Sequence, residues 1–176
     1  GIQWPCNEAN PLGTKRLYGE DMPFKTPDQK AKLLCLDWFP MAEPQTPEFP
    51  VILNTGRTVE QWLTRTKTRS IDILNDLAPE AWVDISPSDA IKLKVKSGDR
   101  MSLSSARGRV DDVIVRVTGS VREGTVFVPF HFNTELVNAL TSESFCPKSG
   151  EPNFKQTAIQ LHSDEVPEGL TLEKPE

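Results

Sequence analysis

The stretch RMSLSSARGRVDDVIVRVT, residues 100–118, contains two predicted strands and the turn that joins them. Apolar and polar residues alternate over 100–105, and Val113, Val115 and Val117 place apolar side chains on one face of a strand over 110–118. Between these strands, the sequence Ala-Arg-Gly-Arg at 106–109 is typical of a hairpin turn. The stretch therefore predicts a β-hairpin.

The segments on both sides of this hairpin also indicate short strands separated by turns. Ser86 followed by Pro87 predicts a helix that begins at Pro87 with Ser86 as its N-cap. Further strands are predicted at 51–54, 82–85, 125–130 and 154–161, turns at 96–99 and 123–124, and short helices at 59–63 (from the spacing of Val59, Trp62 and Leu63) and 71–77. Many short strands with few helices predict a mainly β protein built as a compact barrel.

Composition narrows the possible functions. The 176 residues are 37% hydrophobic and 26% charged, which is enough apolar material for a sizeable core. A net charge of −5 argues against general nucleic-acid binding. No apolar run approaches the roughly 20 residues that span a bilayer, and the start resembles no signal peptide. Cys6, Cys35 and Cys146 lie far apart, so we expect free thiols in a reducing cytoplasm and no metal site.

The chain is expected to divide into three parts. Residues 1–45 are polar and irregular, with a possible strand pair at 16–18 and 32–39, and proline-rich residues 40–50 indicate a linker. We interpret residues 1–45 as the end of a preceding domain plus this linker, and residues 46–162 as the barrel. Residues 163–176 are acidic and lack periodicity, which predicts a flexible tail.

A local basic cluster follows the first barrel strand. In VILNTGRTVEQWLTRTKTR, residues 51–69, an apolar strand ends in Asn-Thr-Gly-Arg, and hydroxyls and cations follow. Arg57, Arg65, Lys67 and Arg69 bring positive charge into a chain that is acidic overall. A strand that runs into a Gly turn and a helix start presents backbone N–H groups to phosphate. This segment therefore predicts a site for an anionic, phosphorylated ligand.

Several of these motifs, taken in order, carry a family resemblance. They are N-T-G-R (54–57), Q-W-L-T-x-T-x-T-R (61–69), I-S-P-S-D-A-x-x-L-x-V-x-x-G-D (85–99), S-x-R-G (105–108), G-T-V-F-V-P-F-H-F (124–132), L-V-N-A-L-T (136–141) and F-K-Q-T-A-I (154–159). The chain resembles the C-terminal cofactor-binding domain of the molybdopterin oxidoreductases of the dimethyl-sulfoxide-reductase family. Among them it looks most like an assimilatory nitrate reductase. The resemblance implies a six-stranded double-psi β-barrel, preceded by an extended linker.

The resemblance also implies a cofactor, molybdopterin guanine dinucleotide, and the residues that hold it. These cofactor-binding residues would be Asn54, Thr55, Gly56, Arg57, Gln61, Trp62, Thr64, Thr66, Thr68, Arg69, Phe130, Asn138 and Lys155. Backbone N–H groups and arginine suit phosphate, and an amide such as that of Asn138 can both donate to and accept from a heterocycle edge. Structural roles remain open: Trp62 in a helix core, the three cations 65–69 on a solvated face, and Asn138 in a turn.

The implied parent is a molybdenum-dependent nitrate reductase of the bacterial cytoplasm that takes two electrons to nitrate and releases nitrite. Its molybdenum ligand and 4Fe-4S cysteines would lie outside this segment, which would hold no catalytic or metal-binding residue and be inactive alone. Partners would be the other domains of the same polypeptide and an electron donor such as ferredoxin, with no nucleic acid or membrane. The alternatives are the same domain of a formate dehydrogenase, or a non-enzymatic double-psi barrel for protein interaction. Loops 55–70 and 136–156 are expected to order only on binding.

Overall fold

The structure, a computed structural model, describes residues 3–19 and 22–163, and its contacts divide the chain into two units between Phe39 and Pro40. Within the described part of the first unit there is no strand, so the predicted strand pair at 16–18 and 32–39 is wrong. Leu33, Leu36 and Trp38 are each at least 80% exposed. A paired strand would need one of its faces covered, and nothing covers these side chains. Beyond Ser163, the predicted tail lies outside the described residues.

The second unit contains six strands and a few short helices. The strands are β1 (Val51–Gly56), β2 (Trp82–Ile85), β3 (Arg100–Ser105), β4 (Gly108–Val117), β5 (Thr125–Pro129) and β6 (Thr157–Ser163). The α-helices are α1 (Asp72–Leu77) and α2 (Pro87–Leu93), and 3-10 helices span Thr68–Ser70 and Val137–Leu140. None of the helices in the described residues is both long and apolar enough to cross a membrane.

The six strands close into a barrel in the order β1-β5-β2-β4-β3-β6. β1 runs parallel to β5, from Ile52 opposite Thr125 to Gly56 opposite Pro129, and β2 runs parallel to β4. The remaining neighbours, β1 with β6, β2 with β5, β3 with β4 and β3 with β6, are antiparallel. The mainly β class and the closed six-stranded barrel predicted from the sequence are therefore confirmed.

Alternation along the strands builds the core. In β4, Val113 and Val115 are buried and Arg116 faces outward, so one face of the strand fills the barrel interior. The apolar side chains that are at most 1% exposed are Leu53, Val83, Ile85, Met101, Leu103, Val113, Val115, Val126, Val128, Val137, Leu140 and Ile159. The hairpin predicted at 106–109 joins β3 to β4, with Ser105 opposite Gly108.

Helix α2 begins as the sequence predicts. Ser86 is the N-cap, and its Oγ accepts a hydrogen bond from the backbone N–H of Asp89 at 3.1 Å. The Ser86 hydroxyl in turn donates to Asp89 Oδ2 at 2.8 Å, and this same oxygen accepts from the Gly124 N–H at 2.7 Å. The buried carboxylate thus ties the helix start to the turn that precedes β5.

The helix predicted at 59–63 is wrong. The segment forms no helix, and its three apolar residues are not packed together: Val59 is 97% exposed and Trp62 65% exposed. Leu63 and Arg65 have φ angles of 51° and 66°, which break a right-handed helix. Because Trp62 is largely exposed and lies in no helix, the structural role considered for it, a place in a helix core, is also wrong.

The proline-rich residues before β1 have no helix or strand but are fastened to the barrel. Glu43 Oε1 accepts from Arg107 Nη2 at 2.8 Å and from the Ala158 N–H at 3.0 Å. Gln45 Nε2 donates to the Pro50 carbonyl at 2.7 Å. This extended segment therefore belongs with the barrel unit from Pro40 onward.

Candidate functional site

One end of the barrel collects most of the predicted site residues, and the strand directions explain why. β1 and β5 are parallel, so the segments that follow Gly56 and Pro129 leave the barrel at the same end. β6 is antiparallel to β1, so the segment that precedes Thr157 arrives at that end as well. The β3–β4 hairpin also lies there, because β3 is antiparallel to β6. Arg107 of this hairpin donates to the Leu140 carbonyl of the 3-10 helix at 3.0 Å.

The end of β1 is bound to the segment before β6. Thr55 is 1% exposed, and both its backbone N–H and its Oγ1 donate to the Phe154 carbonyl, at 3.3 and 2.8 Å. Lys155 Nζ donates to the Thr55 carbonyl. Gly56 accepts from the Phe130 N–H at 3.1 Å. Four predicted site residues, Thr55, Gly56, Phe130 and Lys155, are therefore neighbours.

Gln61 and Thr68 shape the loop after β1 from within. Gln61 is 4% exposed, and its Oε1 accepts from Thr68 Oγ1 at 2.5 Å. The same hydroxyl accepts from the Trp62 backbone N–H at 3.1 Å. Because these polar atoms bond to each other, Gln61 and Thr68 support the loop, while the Trp62 indole is 65% exposed and free to cover an aromatic ring.

A polar cavity of about 230 Å³ opens between this loop and the segment after β5. Thr64, Arg65, Thr66, Arg69, His131 and Asn133 line it. The hydroxyls of Thr64 and Thr66 are 2.9 Å apart. Among the described residues, Arg57, Arg65, Lys67 and Arg69 form no ion pair with a carboxylate. Uncompensated guanidinium groups beside hydroxyl donors favour an anionic ligand.

His131 forms part of this cavity wall and is the most deeply buried of its lining residues. It is 4% exposed, packs 4.1 Å from the Phe132 ring, and neither ring nitrogen has a partner within the described chain. Burial lowers the pKa of His131, and the charge of Arg65 lowers it further. The imidazole is therefore neutral at pH 7 and keeps one donor and one acceptor for a ligand or water.

Arg57 and Asn138 are exposed at the same end of the barrel. Arg57 directly follows β1, and Asn138 lies in the 3-10 helix Val137–Leu140. The backbone carbonyl of Asn138 accepts from Thr141 Oγ1 at 2.7 Å, so the turn does not use the Asn138 amide side chain, which is exposed. Both residues can therefore reach a bound molecule.

Asn54 is the predicted site residue that lies elsewhere. It lines a separate cavity of about 370 Å³ together with Asp84, Arg122 and Phe127. The alternation of β1 explains this placement, because Leu53 and Thr55 are buried and Asn54 projects from the other face.

Sequence reasoning missed three residues of this region. His131 lies in the motif at 124–132 but is not among the residues that the resemblance assigns to the cofactor, Asn133 directly follows that motif, and Asn75 lies in α1, beyond the motif at 61–69. Asn75 binds Gln61, Arg65 and Arg69, which lie between 6 and 14 residues away along the chain. No periodic pattern indicates such a contact, so the sequence offers no signal for it.

A closed six-stranded barrel with a cationic, hydroxyl-rich end is suited to binding a phosphorylated ligand. The sequence profile of the family described as "Molydopterin dinucleotide binding domain" matches residues 51–158, which is the barrel itself. The chain belongs to this family, and its cofactor is molybdopterin guanine dinucleotide.

Longer proteins match most of the chain. The F420-dependent formate dehydrogenase subunit alpha of Methanocaldococcus jannaschii is 33% identical over 161 residues, which are 92% of this chain and 24% of that protein. The F420-dependent formate dehydrogenase 1 subunit alpha of Methanococcus maripaludis is 32% identical over 161 residues, 92% of this chain and 23% of that protein. The chain thus spans about a quarter of the length of these curated relatives.

A solved structure supports the fold. Acetylene hydratase from Pelobacter acetylenicus superposes with a TM-score of 0.59 at 20% identity, over 70% of this chain and 21% of that chain. At this identity the likeness concerns the fold alone.

The residues at the barrel end fit the family's cofactor. A dinucleotide presents phosphates, aromatic rings and amide-like edges. The described chain offers unpaired cations and paired threonine hydroxyls, an exposed indole at Trp62, an exposed amide at Asn138 and the orphaned ring nitrogens of His131. Among the described residues, no group of three or more His, Cys, Asp or Glu side chains is placed to hold a metal ion.

Proposed function

We propose that the chain is the cofactor-binding barrel of a formate dehydrogenase. The observation that supports this most is the identity of 33% and 32% with two formate dehydrogenase alpha subunits, extending over 92% of the chain. The match is longer than the family profile at 51–158, so it includes residues outside the barrel. The resemblance to nitrate reductases rests on short motifs, and neither of the two relatives above is a nitrate reductase.

The chain's own residues would bind and orient the cofactor. Arg57, Arg65 and Arg69 would neutralise its phosphates, and Trp62 would cover an aromatic ring. The bound cofactor would supply a redox-active molybdenum for two-electron chemistry on the substrate. Asn138 would read a heterocycle edge, and Lys155 would hold the end of β1 in place beneath the ligand. The remaining parent chain would supply the metal ligand, a 4Fe-4S cluster and the electron-transfer partner, in a cytoplasmic enzyme.

We expect the full-length parent to oxidise formate to carbon dioxide and to have no nitrate reductase activity. Both activities can be measured on one preparation, with benzyl viologen as acceptor for formate and reduced methyl viologen as donor for nitrate. Nitrite production without formate oxidation would overturn the proposal and restore the nitrate reductase alternative. Neither activity in a protein that contains stoichiometric molybdenum would also contradict it.

Cofactor retention tests the site apart from the substrate. In the full-length protein, Arg57→Ala, Asn138→Ala and Lys155→Ala should each reduce cofactor affinity about tenfold or more, because each removes hydrogen bonds that involve a charged group or a heterocycle. The measurement is the molybdenum and guanine nucleotide content after extended dialysis.

Matched controls lie outside the polar cavity and outside the loop after β1. Arg122 precedes β5 and Lys96 precedes β3, and both are exposed cations. Arg122→Ala and Lys96→Ala each remove one positive charge away from the site. The molybdenum and guanine nucleotide contents of both variants should stay at the level of the parent protein. Equal contents in all five variants would show that this barrel end does not hold the cofactor and would favour the protein-interaction alternative.

A further inference from the structure

The amide of Asn75 is the centre of a hydrogen-bond network that reaches across the loop after β1. Its Oδ1 accepts from Arg65 Nε at 3.2 Å, from Arg65 Nη2 at 3.0 Å and from Gln61 Nε2 at 3.2 Å. Its Nδ2 donates to the Arg69 carbonyl at 2.8 Å. One side chain on α1 therefore holds three points of the loop at once.

The loop needs such a support because its own backbone forms no regular secondary structure. Residues 57–67 contain no helix or strand, and Leu63 and Arg65 adopt left-handed φ angles that cost free energy for residues other than glycine. Trp62 is largely exposed, so packing of the indole does not fix the loop. The strained conformation persists only where surrounding interactions over-determine it.

The network also sets where the cation beside the cavity lies. Two of the guanidinium nitrogens of Arg65 bind Asn75, an uncharged partner, so the positive charge is held in place without being neutralised. The same guanidinium is 6.0 Å from the Phe132 ring. Arg65 therefore lines the cavity in a fixed orientation before any anion arrives.

We propose that Asn75 is a positioning residue that preorganises the loop over 61–69 for the cofactor. This inference rests on the proposed binding role of the barrel end and goes beyond it, because Asn75 itself need not touch the ligand. It differs from the expectation that the segment 55–70 orders only on binding. A loop ordered in advance binds more tightly, because less conformational entropy is lost on association.

The first test follows backbone amide exchange in the cofactor-free 176-residue chain. In the wild-type chain, the amides of Trp62, Arg65 and Arg69 should be protected, since each donates to an atom of the loop. Asn75→Ala should speed exchange at these three amides about tenfold or more, the equivalent of one lost hydrogen bond. Exchange in the barrel strands should not change.

Two further variants separate positioning from a general effect on α1. Alanine is a better helix former than asparagine, so a role confined to helix stability predicts slower exchange in Asn75→Ala. Asn75→Asp keeps the acceptor for Arg65 and Gln61, loses the donor to the Arg69 carbonyl and adds a negative charge beside Arg65, so it should restore protection at Trp62 and Arg65 while partly neutralising the Arg65 cation. Asp76→Ala, an exposed neighbour on the same helix, is the control and should behave as wild type.

The second test measures molybdenum and guanine nucleotide content in the full-length protein. Asn75→Ala should lose cofactor about tenfold more readily than wild type, and Asn75→Asp should retain an intermediate amount. Unchanged loop exchange in Asn75→Ala would overturn the inference, whatever the cofactor content. Faster exchange with full cofactor retention would also overturn it, whereas full retention in Arg57→Ala and Lys155→Ala would overturn the proposed function instead.

Discussion

Gly56→Val is expected to destabilise the barrel by about 3 kcal/mol, at the upper end of the usual cost of overpacking. A Cβ atom at Gly56 would lie 2.2 Å from Cε2 of the Phe127 ring and 3.0 Å from its Cζ. Gly56 is buried at the end of β1, opposite Pro129, and the two γ-methyl groups of valine would add to this overlap. The small gain that valine brings to a strand cannot offset it. Urea unfolding followed by circular dichroism measures the loss.

A second-site change shows whether Phe127 is the cause. Phe127 is half-buried beside the cavity that contains Asn54, and Phe127→Leu shortens the side chain that meets the new methyl groups. In this background, Gly56→Val should cost less than half as much as in the wild-type chain. An equal cost in both backgrounds would mean that the overlap with Phe127 does not explain the effect. Gly56→Ala, which adds only the Cβ, should lie between wild type and Gly56→Val.

This clash also refines the reason for the glycine in Asn-Thr-Gly-Arg. In the sequence, this glycine indicates a turn that presents backbone N–H groups to phosphate, and the structure places the Phe127 ring of the neighbouring strand where a Cβ atom of residue 56 would lie. Packing against Phe127 and contact with a bound cofactor involve different neighbours of Gly56. Stability and cofactor retention therefore need not change together in variants at this position.

The strands of the barrel could be predicted because their signal is local. In β4, alternation places Val113 and Val115 inside, and turn residues mark both ends, so a few consecutive residues specify the element. The Ser86 cap of α2 is equally local, since the hydroxyl binds the N–H three residues further along the chain. Closure of the barrel also needs strands that are distant in sequence to pair, in the order β1-β5-β2-β4-β3-β6.

The loop after β1 could not be predicted in the same way. Val59, Trp62 and Leu63 have helical spacing, but a helix of so few residues is stable only when its apolar face packs, and here the face is exposed. The loop is instead shaped by side-chain amides, Gln61 and Asn75, whose bonds connect residues far apart along the chain. Such contacts depend on the three-dimensional path of the backbone and leave no periodic trace.

The sequence predicts which types of residue form the binding end of the barrel, but not which of them are neighbours in space. The cations and threonines of 57–69 are recognisable as a local basic cluster, and the resemblance adds Asn138 and Lys155. Only the parallel pairing of β1 and β5 brings His131 and Asn133 beside this loop. The alternation of side chains along β1 separates Asn54 from the neighbours it has in sequence.

Arg116→Met should destabilise the barrel by about 3 kcal/mol, because it leaves the carboxylate of Asp84 without its partner. Asp84 lies on β2 and is 6% exposed, and both of its oxygens accept from Arg116, with Nη2 at 2.8 Å from Oδ2. The guanidinium also stacks 4.6 Å from the Trp82 ring. Because 53% of the Arg116 side chain is exposed, water can partly replace it, which places the cost at the low end for buried pairs.

Removing Asp84 instead of Arg116 should destabilise the barrel far less, because only the carboxylate of this ion pair is buried. Asp84→Leu leaves Arg116 half exposed and solvated, and leucine can pack beside Phe127, so we expect a loss below about 1 kcal/mol. The double variant Asp84→Leu/Arg116→Met should be about as stable as Asp84→Leu alone, which corresponds to a coupling free energy of about 2–3 kcal/mol. Urea unfolding of the four proteins gives this value directly. Additive losses would show that the buried carboxylate does not depend on Arg116, and that packing of Arg116 against Trp82 accounts for its contribution.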